Sequence, residues 1–176
     1  PSFSGRKVLG AILFEKTMDG EANGKPVPQH LWERGVVPFL KVDQGLEEIA
    51  NGVQMMKPMP ELDGMCARAK EKGVFGTKMR SVIHDANEEG IAANIDQQFK
   101  FARQIIANGL VPIVEPEVSL KSPDRADCDA LVLRHVTRNL DALPDGERVM
   151  LKLSLPAQDD LYAPLVAHAR VVRVVA

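Results

Sequence analysis

The sequence has few of the features that mark a membrane, secreted or nucleic-acid-binding protein. No apolar run approaches the ~18 residues of a membrane-spanning helix, and no signal peptide is visible. The formal net charge is only -2, so we expect neither nucleic acid nor a membrane as a partner. The two cysteines, Cys66 and Cys128, lack CxxC or CxxH spacing, and we expect them to be reduced in a cytoplasmic protein.

Two further absences narrow the chemistry. The sequence contains no glycine-rich dinucleotide fingerprint. Its four histidines, His30, His84, His135 and His168, are isolated, and no cluster of His, Cys and Asp has the spacing of a metal site. We therefore expect no cofactor and no zinc-dependent mechanism.

The chain does contain enough apolar material for a core, since 45% of its 176 residues are hydrophobic and 26% are charged. This composition predicts a single domain over residues 1–176. The chain begins PSFSGRK without an initiator methionine and ends VVRVVA, a strand pattern with no cap or tail. Natural termini are usually polar and exposed, so we expect a piece of a longer protein, truncated at both ends.

Short apolar segments alternate with helical patterns along the chain. The predicted strands are Val8–Phe14, Val36–Val42, Phe75–Ile83, Leu110–Val114, Val149–Leu155 and Val171–Val175. The predicted helices are Glu61–Lys72, Ala93–Asn108, a segment from the Ser122–Pro123 cap to about Leu140, and Asp159–Ala167, which Pro164 weakens. Lys16–Gly35 and Asn51–Pro60 are predicted to be irregular loops. This alternation predicts a parallel sheet with helical crossovers.

Four predicted strands end in a similar way, in FLKVD, TKMRS, IVEPE and MLKLS. Each places a charged residue in an apolar context, and consecutive members are 37 residues apart: Lys41, Lys78, Glu115 and Lys152. A second polar residue follows two positions later in each strand, and side chains two apart lie on the same face. These second residues are Asp43, Arg80, Glu117 and Ser154.

Polar pairs at the C-terminal ends of parallel strands favour an α/β fold of the (β/α)8 or TIM-barrel type. Catalytic residues converge at that end of such a barrel. The strand tips of an open doubly wound sheet also bind ligands, but charged side chains in mid-strand would there meet the helices that cover each face. We therefore predict a TIM barrel.

The charged cluster has a structural and a functional interpretation. A network of ion pairs that closes the barrel needs no chemistry, and for any single residue this interpretation is as good as the functional one. For the whole repeated set it is weaker, because arginine pairs with carboxylates better than lysine does.

Lys152 is the nucleophile that the functional interpretation predicts. It lies in VMLKLSLP between Leu151 and Leu153. A lysine beside other cations and an apolar wall loses its proton more easily than a solvated lysine. Such an amine can attack a carbonyl group and form a Schiff base, which then allows the adjacent C–C bond to break or form.

The other charged residues divide between proton transfer and anion binding. Glu115 and Glu117, from the neighbouring strand, are the predicted acid–base groups. Lys41 and Arg80 are the predicted anion binders, with a phosphorylated sugar as the expected ligand. The residues alone leave Lys78 open between the two tasks.

Five segments together, GAILFEKTM, VPFLKVDQG, FGTKMRSVI, LVPIVEPEV and VMLKLSLP, resemble class I fructose-1,6-bisphosphate aldolase in its bacterial form. The resemblance runs in order over nearly the whole chain. It implies a lyase of glycolysis and gluconeogenesis, without metal, that reversibly cleaves fructose 1,6-bisphosphate to dihydroxyacetone phosphate and glyceraldehyde 3-phosphate. It also implies a (β/α)8 barrel.

The resemblance also implies roles for individual residues. Lys152 matches the Schiff-base lysine, and Glu115 the general acid–base residue of carbinolamine formation and dehydration. Glu117 matches the carboxylate that orients the Schiff-base lysine, and Lys78 the lysine that assists charge and proton handling. Lys41 and Arg80 match residues that bind the phosphate at the aldehyde end of the sugar.

Two elements of the family pattern lie outside this chain. The first barrel strand, with a catalytic aspartate, would precede Pro1, and the loop and arginine for the other phosphate would follow VVRVVA. The resemblance thus covers about strands two to six and the start of strand seven, well short of the ~250 residues typical of the fold. We expect this piece alone to be a weak or inactive enzyme, and normal turnover in a retro-aldol assay would contradict that expectation.

Two alternatives remain open at this point. One is another Schiff-base barrel, such as a transaldolase or a deoxyribose-phosphate aldolase, with a different substrate pocket. The other is a non-catalytic scaffold or binding protein derived from a barrel. The resemblance favours the bisphosphate enzyme, with a homo-oligomer expected for the full-length parent.

Overall fold

The computed structural model describes residues 4–176, so Pro1 and the two residues that follow it in the predicted domain lie outside the described residues. In chain order the strands are β1 (Gly10–Leu13), β2 (Glu21–Ala22), β3 (Lys25–Pro26), β4 (Val37–Lys41), β5 (Val53–Gln54), β6 (Gly76–Ile83), β7 (Val111–Val118), β8 (Val149–Lys152) and β9 (Val171–Val175). The helices are α1 (Glu15–Met18), α2 (Val27–Trp32), α3 (Leu62–Glu71), α4 (Glu88–Ala107), α5 (Arg125–Asp141) and α6 (Ala163–Val166). None of the helices in the described residues is long and apolar enough to cross a membrane.

Six strands form one curled parallel sheet in the order β1-β4-β6-β7-β8-β9. Each neighbouring pair is parallel, and the connections between them contain helices, as the alternation of strands and helices predicts. Strand β5 adds to β6 in the antiparallel direction, and β2 pairs with β3 in a separate small ribbon. The predicted incomplete (β/α)8 barrel is therefore confirmed.

The two faces of the sheet have different partners. Leu40, Met79, Val114 and Leu151 have no exposed surface and belong to the main core between the sheet and the helices. On the opposite, inner face, Phe39, Ile113 and Met150 form a small separate apolar cluster. Because side chains alternate along a strand, the residue two positions after each member of this cluster lies on the same inner face. The apolar cluster thus forms the floor below the charged residues.

Helix α4 is the main support behind the centre of the sheet. Its apolar face, which includes Ile95 and Phe99, packs on β6 and β7. The helix begins five residues earlier than predicted, because the Asn87 side chain accepts a hydrogen bond from Gly90 N at 2.8 Å and caps the N-terminus.

Both predicted irregular loops were wrong, and both contain an Asn-Gly turn. Lys16–Gly35 contains all but the first residue of α1, the β2–β3 ribbon and α2, and Asn51–Pro60 contains β5. In each segment an Asn-Gly pair has positive φ at both residues, at 53° and 72° in the first and 50° and 72° in the second. This backbone conformation forms the tight turns that join antiparallel strands, and Asn-Gly is its usual sequence.

Other predicted bounds were wrong at their ends. Strand β7 continues to Val118, past the predicted end at Val114, because its carboxylates face the inner side, where cations of β6 neutralise them. Strand β8 ends at Lys152 rather than Leu155.

Two helix starts were also predicted too early. Helix α5 begins at Arg125, and the Ser122 hydroxyl lies near Cys128 Sγ instead of capping the helix. Helix α6 is only one turn long, because Asp160 adopts the left-handed conformation at φ 60°, which an α-helix does not allow.

Cys66 and Cys128 are both free and fully buried in the core. Burial raises the pKa of the Cys66 thiol to about 11, and the nearby Asp63 adds to the effect. Burial also raises the pKa of Cys128. Neither thiol therefore has the character of a reactive cysteine.

The start of β6 requires glycine. A Cβ on Gly76 would lie 2.1 Å from Val111 O of β7 and 3.1 Å from the Phe39 ring. We expect Gly76→Ala to force β6 and β7 apart and to lower the free energy of unfolding by about 1–3 kcal/mol, measured by urea denaturation. The control is Gly64→Ala on α3, where a Cβ meets nothing within 4 Å and alanine should add up to about 1 kcal/mol of helix stability. Equal effects of the two substitutions would contradict this prediction.

Candidate active site

A buried carboxylate bridges two lysines at the mouth of the half-barrel. Glu115 Oε1 lies 2.6 Å from Lys152 Nζ, which donates a hydrogen bond to it. Glu115 Oε2 lies 2.6 Å from Lys78 Nζ, in an ion pair that lacks the alignment of a hydrogen bond. The Glu115 side chain is only 4% exposed, whereas that of Lys152 is 34% exposed. The candidate nucleophile is thus reachable from solvent, while its carboxylate partner is not.

The strand register explains these contacts. Ile113 of β7 pairs with Met150 of β8, so the residues two positions further on, Glu115 and Lys152, are at the same height on the inner face. Lys78 is one inward-facing position lower, because Arg80 rather than Lys78 pairs with Glu115 across β6 and β7. The long lysine side chain spans this step.

Arg80 and Glu117 form a second diagonal contact, in which a cation of β6 again contacts the carboxylate of β7 that lies one inward-facing position higher. This second contact is closer to solvent. Arg80 Nη1 donates to Glu117 Oε2 at 3.0 Å, and the two side chains are 43% and 37% exposed. Glu117 pairs along the register with Val82, again one inward-facing position above its cation. The contacts from β6 to β7 therefore form two layers, a buried one and an exposed one.

Asp43, two residues after the end of β4, pairs with the fourth cation of the site, Lys41. Its Oδ1 lies 2.5 Å from Lys41 Nζ, and its Oδ2 accepts a hydrogen bond from Arg80 N at 3.2 Å. The Lys41 ammonium also lies 5.9 Å from the centre of the exposed Phe14 ring. Asp43 thus contacts both candidate phosphate-binding residues, Lys41 through its side chain and Arg80 through its backbone.

The mouth contains four cations and three carboxylates, and it opens to a cavity of about 320 Å³. The cavity is lined by Glu115, Glu117 and Lys152, by the polar Ser154, and by apolar residues that include Leu120 and Leu155. Ser154 donates a hydrogen bond to Val118 O at 2.8 Å, which ties the segment after β8 to the end of β7.

The arrangement suits nucleophilic catalysis by an amine. A carboxylate in hydrogen-bond contact with a lysine can accept its proton and return it to a leaving hydroxyl. The second ammonium, that of Lys78, lies at the other oxygen of the shared carboxylate. The mouth as a whole has one more cation than carboxylate, and Lys41 and Arg80 are its partly exposed cations on the side of β4 and β6, which favours a ligand with negative charge there.

The structure brings together most, but not all, of the predicted site residues. Glu115, Lys78 and Lys152 form one contiguous group. Among the described residues, neither a hydrogen bond nor an ion pair joins Glu117 to Lys152, because the Glu117 carboxylate pairs with Arg80. Lys41 pairs with Asp43, apart from the shared carboxylate.

Sequence reasoning assigned no role to a buried polar network on the outer side of the sheet. We call it the outer polar network; its side chains, Ser81, Asn94 and Gln98, have no exposed surface. Gln98 accepts a hydrogen bond from Glu115 N at 3.3 Å and donates one to Ser81 Oγ at 2.8 Å. The signal in the sequence was the pair of amides four residues apart on the otherwise apolar face of α4.

A second unassigned residue, Asp129 of α5, fixes the loop that follows β8. Its Oδ2 accepts from Ala157 N at 2.8 Å, and its Oδ1 accepts from Tyr162 Oη at 3.1 Å and from Arg125 Nε at 3.2 Å. Burial and the adjacent Asp129 carboxylate raise the pKa of Tyr162, so the phenol remains a donor. The loop that begins next to Lys152 is thereby anchored to the helix layer.

Residues 4–176 contain no group of three or more His, Cys, Asp or Glu side chains placed to hold a metal ion. His30, His84 and His168 each contact another polar side chain, and His135 is buried between α4 and α5. Burial and the neighbouring arginines, Arg138 and Arg134, lower the pKa of His135.

Comparisons with known proteins agree on one family. The family model for class-I fructose-bisphosphate aldolase, a glycolytic family, matches residues 3–152. The chain is 52% identical to fructose-bisphosphate aldolase class 1 of Synechocystis, over all of this chain and 59% of that protein. It also resembles, with a TM-score of 0.71 and 27% identity, the fructose-bisphosphate aldolase of Plasmodium falciparum, solved in complex with TRAP and a small-molecule inhibitor. That match covers 85% of this chain and 47% of the other.

The two carboxylates of β7 should differ in their effect on stability. Glu115→Gln leaves two ammonium groups without their shared anion, and one of them, Lys78, is almost fully buried. We expect this substitution to lower the free energy of unfolding by about 3–5 kcal/mol. The same change at the exposed Glu117 should cost less than about 1 kcal/mol. Urea denaturation at neutral pH measures both, and a smaller loss for Glu115→Gln than for Glu117→Gln would refute the assignment.

Proposed function

This chain belongs to the class-I fructose-bisphosphate aldolase family, and we propose that it contains the imine-forming part of an enzyme that reversibly cleaves fructose 1,6-bisphosphate. The products would be dihydroxyacetone phosphate and glyceraldehyde 3-phosphate, as the family resemblance implies. The observation that supports this proposal best is the 2.6 Å contact between Lys152 Nζ and the buried Glu115 carboxylate. The chain spans 59% of the length of its Synechocystis relative, so the proposal concerns what these residues contribute.

In the proposed mechanism, the Lys152 amine attacks the carbonyl carbon of the ketose after passing a proton to Glu115. The resulting carbinolamine loses its hydroxyl as water when Glu115 returns that proton, which leaves a protonated imine. The bond between the α and β carbons of the imine then breaks, and its electron pair forms the enamine double bond as the iminium electrons move to nitrogen. The β-hydroxyl of the departing fragment passes its proton to Glu115, which is ionised again after the dehydration, and that fragment leaves as an aldehyde. Protonation of the enamine carbon and hydrolysis release the ketone and restore Lys152.

Lys78 and Glu117 have supporting roles in this proposal. Lys78 stabilises the negative charge on Glu115 while the proton moves, a role consistent with its 2.6 Å contact to the far carboxylate oxygen. For Glu117, the family resemblance implies that it orients the Schiff-base lysine, whereas its carboxylate pairs with Arg80 in the structure. We propose that substrate phosphate competes for Arg80 and releases Glu117 towards Lys152.

Lys41 and Arg80 are the proposed ligands of the phosphate at the aldehyde end. Both are partly exposed cations, and each is held by a carboxylate in the absence of substrate. Charge-assisted contacts of this kind are the usual way of binding a phosphate.

We also propose a pathway, a compartment and an oligomeric state for the whole protein. The whole protein would act in glycolysis and gluconeogenesis, in the cytoplasm, as a homo-oligomer. The two free, buried cysteines are consistent with a reducing compartment. Other Schiff-base aldolases, transaldolases and a non-catalytic scaffold are the alternatives, and they differ in what binds covalently to Lys152.

Borohydride trapping tests the nucleophile. After incubation with dihydroxyacetone phosphate and reduction, we expect mass spectrometry to locate the adduct on Lys152, because an imine reduced in place cannot hydrolyse. Lys152→Met should abolish the adduct, whereas the matched variant Lys57→Met, at an exposed lysine outside the site, should retain it. An adduct spread over surface lysines, or none in the folded chain and in any longer natural form of it, would argue for the scaffold.

A comparison of two substrates tests the phosphate binders. Fructose 1-phosphate lacks the phosphate at the aldehyde end, so Lys41→Met and Arg80→Met should raise KM for the bisphosphate by about tenfold or more and leave KM for the monophosphate nearly unchanged. The loss of one charge-assisted hydrogen bond, about 1.5–3 kcal/mol, sets this magnitude. Steady-state kinetics in the active form of the protein measures it, and an equal effect on both substrates would show that these side chains do not bind that phosphate.

A further inference from the structure

The outer polar network lies directly behind the candidate active site. Ser81 follows Arg80 in β6, and Gln98 of α4 contacts the backbone of Glu115 in β7. The network therefore connects β6, which contains Lys78 and Arg80, to β7, which contains Glu115 and Glu117.

The hydrogen bonds of this network run in one direction. Asn94 Nδ2 donates to Gln54 O at 3.1 Å, and Asn94 Oδ1 accepts from Ser81 Oγ at 2.6 Å. Ser81 Oγ accepts from Gln98 Nε2 at 2.8 Å, and Gln98 Oε1 accepts from Glu115 N at 3.3 Å. Each hydroxyl and amide group therefore has one defined hydrogen-bonding role. The side chain at position 98 must both donate to Ser81 Oγ and accept from Glu115 N.

Buried amides are costly in this layer. On the same face of α4, Ile95 and Phe99 lie next to Gln98 and are fully buried and apolar. A leucine or methionine would fill such a place without the desolvation cost that a carboxamide must recover through hydrogen bonds. Core packing alone therefore does not explain these buried amides, whereas their hydrogen bonds to Ser81 of β6 and to the backbone of Glu115 in β7 do.

We propose that Gln98 is a positioning residue, which acts through the backbone of Glu115 to hold that carboxylate between Lys78 and Lys152. Buried polar networks of this kind define one arrangement where apolar packing allows several. The two strands that it connects present the diagonal pairs of the site, where a shift of 1 Å is enough to separate a carboxylate from its lysine. The catalytic consequence rests on the proposed function, whereas the structural claim does not.

The test compares Gln98→Met with Gln97→Met. Both remove a hydrogen-bonded carboxamide from the same turn of α4, one that is fully buried at Gln98 and half-buried at Gln97. Gln97 bonds only to the connector after β5, with Met56 N and O at 2.9 and 3.0 Å, so its loss should lower stability without moving Glu115. A third variant, Ser81→Ala, removes the next link and retains the contact between Gln98 and Glu115.

The first measurement needs no substrate. The rate at which acetic anhydride modifies Lys152, relative to Lys57 in the same sample, reports the pairing of Lys152 with Glu115, because a paired ammonium is protected. We expect Gln98→Met to raise this relative rate several-fold, Ser81→Ala to raise it less, and Gln97→Met to leave it within twofold of the unmodified chain. Equal rates for the Gln98 and Gln97 variants would overturn the proposal.

The second measurement addresses catalysis. In the form of the protein that forms the trapped adduct, Gln98→Met should slow adduct formation at saturating dihydroxyacetone phosphate about tenfold, with a changed pH profile and an unaltered half-saturating concentration. Gln97→Met should alter none of these. If unmodified protein forms no adduct, the proposed function fails, while the labelling rates still decide the role of Gln98.

Discussion

A single buried carboxylate, that of Glu115, is the group on which the geometry of the polar mouth depends. It is shared by Lys78 from one neighbouring strand and Lys152 from the other. A carboxylate with so little exposed surface is stable in the ionised form only when cations and hydrogen bonds replace its water. This requirement forces β6, β7 and β8 to keep one register, since a slip of one residue would turn a charged side chain into the apolar layer beneath the helices.

The rest of the structure supplies the rigidity that this contact needs. On the inner face, Phe39, Ile113 and Met150 form an apolar floor below the charged residues. On the outer face, α4 packs on β6 and β7 and presents the amide of Gln98 to the backbone of Glu115. Asp129 anchors the loop after β8, so the chain on the far side of Lys152 is also held. A carboxylate fixed from three directions can exchange a proton with a lysine without a large rearrangement, which suits the imine chemistry of the family.

Much of this could be predicted from the sequence because the strands repeat. The spacing of 37 residues between Lys41, Lys78, Glu115 and Lys152, and the period of two along each strand, were enough to predict that these residues lie on one face of a parallel barrel sheet. The Asn-Gly pairs at Asn23 and Asn51 are also visible in the sequence and indicate tight turns, so the antiparallel pairings beside them were predictable in principle. The end of β7 was missed because Glu115 and Glu117 look like the end of an apolar strand until their cationic partners on β6 are known.

The sequence by itself determined the fold class, the family and the set of charged residues, because periodicity and motif are local properties of a chain. The tertiary structure alone decided which cation pairs with which carboxylate. Glu117 lies with Arg80 rather than Lys152, because the stagger between β6 and β7 places residues 37 apart one inward-facing position from each other. Lys41 pairs with Asp43 of its own segment. That stagger results from how twisted strands pack into a closing sheet, and no spacing along the chain contains it. The same holds for Gln98, whose contact with Glu115 exists only once α4 covers the sheet.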